Sequence, residues 1–425
     1  MSGGPEVLVI GAGVAGMEAS LLLSRAGAKV HLVERTSYTG GTAVLFEQVY
    51  PDLECATCML SPRQQDLLQD GNVELLTLSL VEKVVPEGDG FVATVRKKAR
   101  YVDPAACIGC GACYEPCPVS APNEAEQGLS ARKAIFVPFA GALPNVPMID
   151  RDLCLRFHGK ECQACKEACV FEAINFDQQD VSVELHVDSI IVATGSQVVD
   201  LGPLVRYGLG SVPEVYHALQ FERLFAQNGP SSGNIVMRSG KPPRSVALLH
   251  CAGRAEKGYC SGVCCMYLLK FNQYLRAKMP DVEIHEFYVD MTIPGQDAQR
   301  FYKRMIAGGT DLIRTNDARV EERDGRPCVL FTDTTGNEKA LGVDMVVLAP
   351  ALEPRGDSAA MAEVLGLSAG MKGYPIADDA SLESSRPGIF VVGGAQGPKG
   401  VGESVADAHA AVAEILRRHQ GGDRK

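Results

Sequence analysis

Apolar positions along this chain alternate between two periods, and the switches mark its elements. Glu6-Val-Leu-Val-Ile10 is a short buried-strand run, followed by a glycine turn and a helical stretch from Met17 to Ala26 that Gly27 stops. Lys29-Val-His-Leu-Val33 returns as a strand, ended by Glu34. Residues 73–84 and 91–97 alternate apolar and polar like strands, and the pattern is then interrupted. It resumes at Val181–Val187 and Asp188–Gly195. Residues 200–243 carry Pro, Gly and Ser with little periodicity, apart from a predicted helix over Glu214–Phe225, and Lys241-Pro-Pro243 marks a boundary. A second strand–helix–strand follows as Ser245–His250, a helix through Lys270 to Ala277, and Val282–Val289. Residues 301–350 supply helix, strand, hairpin and strand, and Gly388–Gly394 leads into a helix over Val401–Arg418. The pattern predicts an α/β fold of two Rossmann-like halves interrupted by an inserted domain. The expected division is 1–100, 101–180, 181–243, 244–350 and 351–425.

The first glycine turn is Gly11-Ala-Gly13-Val-Ala-Gly16, a G-x-G-x-x-G placed between strand and helix. Its glycines let backbone approach a pyrophosphate at a helix N-terminus, and Glu34 is positioned to bond a ribose hydroxyl. Gly40-Gly41 follows closely and favours FAD over NAD, because this spacing resembles the second glycine pair of two-dinucleotide flavoproteins. Ala193-Thr194-Gly195 at a strand end resembles another element of the same class. Residues Gly394-Ala-Gln-Gly-Pro-Lys399 before the last helix form the expected second flavin contact. The acid usually found there is replaced by Ala395, while Asp407 and His409 on the last helix read as a solvated face.

The interruption holds two four-cysteine runs. The first is Cys107-x2-Cys110-x2-Cys113-x3-Cys117-Pro118, and the second is Cys154, Cys162, Cys165 and Cys169. In the bacterial-ferredoxin run the fourth cysteine reaches the other cluster. Crosswise pairing assigns Cys107, Cys110, Cys113 and Cys169 to one [4Fe–4S] cluster, and Cys117, Cys154, Cys162 and Cys165 to a second. Zinc also uses C-x2-C pairs, but eight cysteines in this order with the trailing proline favour clusters. Seven residues separate Cys154 from Cys162, which puts the loop Leu155–Glu161, with His158, over the second cluster.

The second half lacks a second G-x-G-x-x-G. In its place stand Cys251, Cys260, Cys264 and Cys265, either ligands of a third [4Fe–4S] cluster or unrelated thiols. The missing motif argues against a nicotinamide nucleotide as direct donor. Cys55-Ala-Thr-Cys58 is a redox dithiol, part of a metal site, or a pair of buried thiols. Cys328 reads as a core thiol. The 15 cysteines follow no basic n-region or cleavage site, so metal or redox use is favoured over disulfides. A net charge of −11 makes nucleic acid an unfavourable partner. No apolar run reaches the ~20 residues of a membrane span. The expectation is a soluble cytoplasmic protein that docks on a membrane-bound partner, if on a membrane at all.

Together these elements resemble the HdrA-like family of heterodisulfide reductase subunits. Its marks here are the N-terminal fingerprint, Cys55-Ala-Thr-Cys58-Met-Leu-Ser-Pro62, Val95–Asp103 leading into Cys107, and Arg132-Lys-Ala-Ile135. Two more are Gly258-Tyr-Cys-Ser-Gly-Val-Cys-Cys265-Met-Tyr and Gly394–Lys399. The resemblance implies FAD and iron–sulfur clusters that pass electrons between partner subunits, in some members by flavin-based bifurcation. It implies that Cys251, Cys260, Cys264 and Cys265 hold a cluster beside the flavin. It also makes Lys270 a candidate that stabilises reduced flavin. The chain ends at Lys425 without a further ferredoxin domain. That short form resembles the flavoprotein of the quinone-interacting complex of sulfate reducers, and so implies a membrane-bound, quinone-reactive partner. The rival readings are a self-contained flavin-dependent disulfide reductase using Cys55 and Cys58, and a scaffold whose clusters only stabilise the fold.

Overall fold

The computed structural model describes residues 4–202, 204–370 and 372–422. They form two compact units. The first comprises the stretch up to Val44, Met59–Ser196 and the stretch from Pro354, and the second Leu45–Cys58 and Gln197–Glu353.

The first unit is built on β1 (Glu6–Ile10), α1 (Val14–Arg25) and β2 (Lys29–Val33). These are followed by α2 (Ala56–Gln69), which crosses the boundary between units, and β3 (Val73–Leu76). A five-stranded sheet runs Ile389–Val391, β7 (Ser189–Val192), β1, β2, β3, every pair parallel. Val7, Leu8, Val9, Ile190 and Ile191 have no exposure, as expected where both faces of a parallel sheet are covered. The expected strand over 73–84 divides in two, because Leu78 takes a positive φ of 55° between β3 and β4 (Ser79–Glu87). That kink sends β4 into a second, antiparallel sheet with β5 (Gly90–Lys97) and β6 (Val181–Val187), in the order β6-β5-β4.

β5 and β6 pair from Phe91↔Val187 to Lys97↔Val181. Residues 98–180 therefore leave and return at adjacent strand ends. Val102 bridges Ile174, and the Asp103 N–H donates to Ala173 O at 2.8 Å. This segment has its own core, in which Tyr101, Val102, Ile135, Ile149, Ile174 and Phe176 surround Cys113, Cys117 and Cys154. Arg100 anchors it at its root. Its guanidinium donates to Val146 O at 2.7 Å, Thr77 Oγ1 at 2.7 Å and Ser37 O at 3.4 Å.

The second unit contains β8 (Val215–His217), α3 (Ala218–Phe225), β9 (Ser245–Ala252) and α4 (Cys264–Lys278). β10 (Glu283–Tyr288), α5 (Gln296–Ala307) and β11 (Asp311–Arg314) follow. A meander of β12 (Arg319–Arg323), β13 (Arg326–Thr332) and β14 (Glu338–Gly342) leads to β15 (Met345–Pro350). Its main sheet is parallel in the order β8-β15-β9-β10-β11. Residues 215–217, expected in a helix, are a strand instead. A capping box fixes the helix start at Ala218. The Gln220 N–H donates to His217 Nδ1, and the Gln220 side chain accepts from the His217 N–H at 3.1 Å. Cys328 lies buried in β13, as expected of a core thiol. Among the described residues no helix is long and apolar enough to cross a membrane.

Candidate functional site

In the first unit the glycines of the strand–helix turn leave no room for side chains. Gly11 has a φ of 105°, and a Cβ there would sit 2.5 Å from Ala193 O. A Cβ on Gly16 would meet Gly11 O at 1.8 Å, and one on Gly41 would meet Gly13 Cα at 2.9 Å. The Gly40 N–H donates to Ala12 O at 2.8 Å, so the two glycine turns are joined through backbone. Gly394 approaches Gly195 and Ser196, next to Thr194, so closely that a Cβ would stand 3.4 and 3.2 Å from their backbone. Gly393 packs on Ala15 of α1 and on Ser404 of the helix Val401–Gly422. Two helix N-terminal turns thus meet at one glycine-lined loop, an arrangement suited to an anionic pyrophosphate.

Glu34 is buried at the end of β2. Its carboxylate accepts from the Ala12 N–H at 2.8 Å and from Thr36 N–H and Oγ1, each at 2.8 Å. These bonds fix its orientation at the lip of the glycine turn. Asp407 departs from the solvated face expected of it. Its Oδ2 accepts from the Gly393 N–H at 2.9 Å and from Lys399 Nζ at 2.5 Å. An acid therefore does reach the final glycine loop, supplied from the helix rather than from the position of Ala395. His409 stays half exposed and pairs with the buried Glu18. The cradle fits a dinucleotide: it is a backbone-walled groove that a single Cβ would fill.

In the inserted segment Cys117, Cys154, Cys162 and Cys165 line one small cavity of about 20 Å³. The other walls are apolar, including Val119, Ile135, Ile149, Leu155 and Phe176. The short 3-10 turn Leu155–His158 borders this cavity through Leu155, while His158 bonds Asp152 O at 2.7 Å. Burial pushes the Cys165 thiol up to about 11, and neighbouring Cys154, Cys117 and Cys162 add to the shift. Burial likewise pushes Cys113 up to about 12, with Cys165, Cys107 and Cys169 as its charged neighbours. Tyr114 is raised by burial and then by Cys113, Cys107 and Cys110. Thiols crowded in an apolar pocket resist ionisation, and a metal that replaces their protons removes the conflict. Among the described residues no three metal-ligating side chains close to single-ion geometry. A cubane binds each thiolate through a different iron and so holds them further apart.

In the second unit Cys251, the last residue but one of β9, takes a positive φ of 62°. Cys264 and Cys265 form the first turn of α4, and Cys260 lies exposed in the loop between. Burial pushes Cys264 up to about 12, followed by the charges of Cys265, Cys251 and Cys260. The four thiols are thus brought together where a parallel sheet places its ligands, beyond the C-terminal strand ends. A cavity of about 360 Å³ opens beside Cys251 and Cys260 and is lined also by Arg206, Arg254 and Tyr259.

Sequence reasoning missed the support beneath these thiols. His250 and Glu286 lie inside apolar strand runs, both buried, with Nε2 and Oε2 2.9 Å apart. Asn272 Nδ2 donates to the other Glu286 oxygen at 2.5 Å. Burial alone lowers His250, but Cys265 and Glu286 outweigh it and raise the imidazole to about 9. Burial raises Cys265, yet the neighbouring His250 brings it net below its ordinary value. The available signal was a polar residue at a fully buried strand position.

Lys270 is completely buried within the second unit. Its ammonium donates to Glu222 Oε2 at 2.6 Å and to Gln48 O at 3.0 Å, with the Tyr267 and Phe46 rings 4.3 and 5.0 Å away. Cys55 and Cys58 are both exposed, so the buried-thiol alternative for this pair does not hold.

Fold and site together define a flavoprotein of the two-Rossmann type with an iron–sulfur insertion. Residues 6–98 match the FAD dependent oxidoreductase family and residues 100–123 match the 4Fe-4S binding domain. The fold is shared with thioredoxin reductase from T. acidophilum (TM-score 0.53, 14% identity, 98% of this chain and 99% of that one). It is shared also with the flavoprotein disulfide reductase RclA from Escherichia coli (TM-score 0.52, 13% identity, 98% and 71%). In sequence the chain is 35% identical over 419 residues to the HdrA-type component of the H(2):CoB-CoM heterodisulfide,ferredoxin reductase of Methanothermobacter marburgensis. It is 35% identical over 422 residues to the corresponding iron-sulfur component of the CoB--CoM heterodisulfide reductase of Methanocaldococcus jannaschii. Each alignment covers 96% of this chain and 63% of the relative. The chain belongs to the HdrA-like family of heterodisulfide reductase subunits. Its cofactors are FAD and [4Fe–4S] clusters. It spans somewhat less than two thirds of the length of these relatives.

Proposed function

We propose that the chain is an electron-transfer subunit that passes electrons between partner subunits of a multisubunit oxidoreductase. FAD supplies two-electron chemistry when bound, and [4Fe–4S] clusters supply one-electron steps. The observation that carries this reading is the cavity shared by Cys117 of the first run and Cys154, Cys162 and Cys165 of the second. A four-thiol site drawn from both runs is what a two-cluster ferredoxin requires.

In this reading Cys107, Cys110, Cys113 and Cys169 hold the companion cluster, and Cys251, Cys260, Cys264 and Cys265 hold a third. The glycines at 11, 13, 16, 40, 41, 195 and 394 admit the dinucleotide to bare backbone. Glu34 orients its ribose, and Thr194 and Lys399 complete the site. His250, held by Glu286, lies beside Cys265, whose sulfur accepts from the Thr292 N–H at 3.4 Å. Lys270, in its proposed part of stabilising reduced flavin, acts through its pair with Glu222, so its field is that of a dipole and not of a free cation. The finer proposal, that one of the partners is membrane-bound and quinone-reactive, rests on the seven-residue gap between Cys154 and Cys162.

The test is iron, sulfide and FAD per chain in anaerobically purified protein, with NADH added to the same sample. Three cubanes and one flavin give about 12 iron per FAD and no bleaching by NADH. Cys154→Ser and Cys264→Ser each remove about four iron. About 8 iron in the parent chain with rapid NADH reduction overturns the third cluster.

A further inference from the structure

Twelve cysteines are taken up by the cluster reading and Cys328 by the core, which leaves Cys55 and Cys58. A short antiparallel pairing sets Gln48 opposite Cys55, and the Ala56 N–H donates to Glu47 O at 3.0 Å. The backbone on both sides of Cys55 is therefore fixed. α2 begins at the next residue and carries Cys58 in its first turn. The Cys58 N–H donates to Cys55 Sγ at 3.3 Å, and both residues are exposed. Cys55 thus has its sulfur beside an N-terminal helical N–H, where a thiolate is stabilised, with a second thiol one helical turn on.

We propose that Cys55 and Cys58 form a redox-active dithiol that exchanges two electrons with a disulfide substrate. The inference does not rest on the cluster assignments. Cys55 is the attacking group and Cys58 the resolving group. Cys58 suits the second role: it sits one helical turn on from Cys55, and its hydrogen bond to Cys55 raises the Cys58 thiol above its ordinary value. A zinc reading needs further ligands, and among the described residues no group of three metal-ligating side chains forms here.

The chemistry balances with a disulfide RS–SR′ as oxidant. The Cys55 thiolate attacks one sulfur, a Cys55–SR bond forms, and R′S⁻ leaves and takes up a proton. Cys58 then loses its proton and attacks Cys55 Sγ, the mixed disulfide breaks, and RS⁻ leaves as the second thiol. The dithiol is oxidised to a Cys55–Cys58 disulfide while the substrate is reduced to two thiols. A dithiol reductant reverses the cycle.

The experiment equilibrates the full, cofactor-loaded chain anaerobically with a series of reduced and oxidised glutathione mixtures. Samples are quenched in acid and alkylated, and the peptide carrying Cys55 and Cys58 is read by mass spectrometry. The expected result is one transition in which both thiols disappear together as an intramolecular disulfide. Cys58→Ser accumulates glutathione on Cys55, and Cys55→Ser reacts at least about tenfold more slowly. Iron and flavin contents equal those of the parent in both variants. Two thiols that stay alkylatable across the whole series overturn the proposal, as do equal rates in the two variants or loss of iron from either.

Discussion

Lys270 and Glu222 meet at 2.6 Å with side chains 1% and 0% exposed, which makes them a fully buried ion pair between α4 and α3. Removing one partner of such a pair leaves the other charge without solvent or counterion, at a cost of about 3–5 kcal/mol. Glu222→Ala is therefore expected to lower the urea midpoint strongly. The double variant Lys270→Met/Glu222→Leu is expected to recover most of the loss, within about 1–2 kcal/mol of the parent. Circular dichroism in urea checks the order, and a double variant as unstable as the single one contradicts it.

The dinucleotide cradle predicts a sharp steric effect. At Gly16 even a methyl group lands on Gly11 O at 1.8 Å. Gly16→Ala is expected to cost up to about 3 kcal/mol locally and to weaken FAD binding by up to about a hundredfold. Flavin absorbance per chain measures this, and full flavin occupancy at limiting FAD would show that the loop relaxes freely. Gly71→Ala is the control, since nothing lies within 4 Å of its added Cβ and its φ is not in the left-handed region.

Arg100 is buried without a carboxylate among its hydrogen-bond acceptors, and that burial lowers its guanidinium to about 10, opposed by the charge of Cys107. Arg100→Met removes a cation near Cys107, a proposed cluster ligand. The expected outcome is a more negative reduction potential for the cluster that Cys107 is proposed to hold, read by electron paramagnetic resonance during a redox titration. Loss of three hydrogen bonds at the root of the insertion should also cost on the order of 2 kcal/mol. An unchanged potential would confine Arg100 to a structural role.

Burial lowers His217 from its ordinary 6.5 to about 4. The unfolded chain then takes up the proton first, so the stabilisation is complete above 6.5 and is lost as pH falls through the window down to about 4. The same protonation occupies the Nδ1 lone pair that caps α3, and the loss is on the order of 3 kcal/mol. Hydrogen exchange of α3 amides, corrected for intrinsic rates, should rise across that window. His217→Asn keeps a capping acceptor and should abolish the pH dependence of that helix start.

Iron removal should act on one segment. Cys113, Cys117 and Cys154 belong to the core of the insertion, so a chain stripped of clusters loses packing there while the parallel sheet of the first unit keeps its own core. Limited proteolysis of the chelated chain is expected to cut first within residues 98–180. Cleavage spread evenly across the chain would contradict this division of stability.

The two periods of apolar residues made β1, α1 and β2 legible, since a buried parallel strand and a glycine turn leave strong local signals. The cysteine runs were equally plain as a spacing pattern, and the fold brings Cys117 of the first beside Cys154, Cys162 and Cys165 of the second. The start of α3 was misread, since an amphipathic run continues unbroken through Tyr216 and only the cap chemistry of His217 stops the helix there. Asp407 was misread for a related reason. One acid on a long helix looks like any other until the glycine loop that it bonds is in place. The His250–Glu286 pair was hidden because the partner of a buried polar group is decided by what lies on the neighbouring strand, and a lone polar residue in an apolar run shows the burial but not the partner.

The pairing of Lys97 with Val181 has an evolutionary corollary. A flavoprotein sheet closed by a simple turn between β5 and β6 would keep every strand neighbour it has now. Acquiring an electron-carrying module in this place asks for one splice at a hairpin and no rewiring of the ancestral topology.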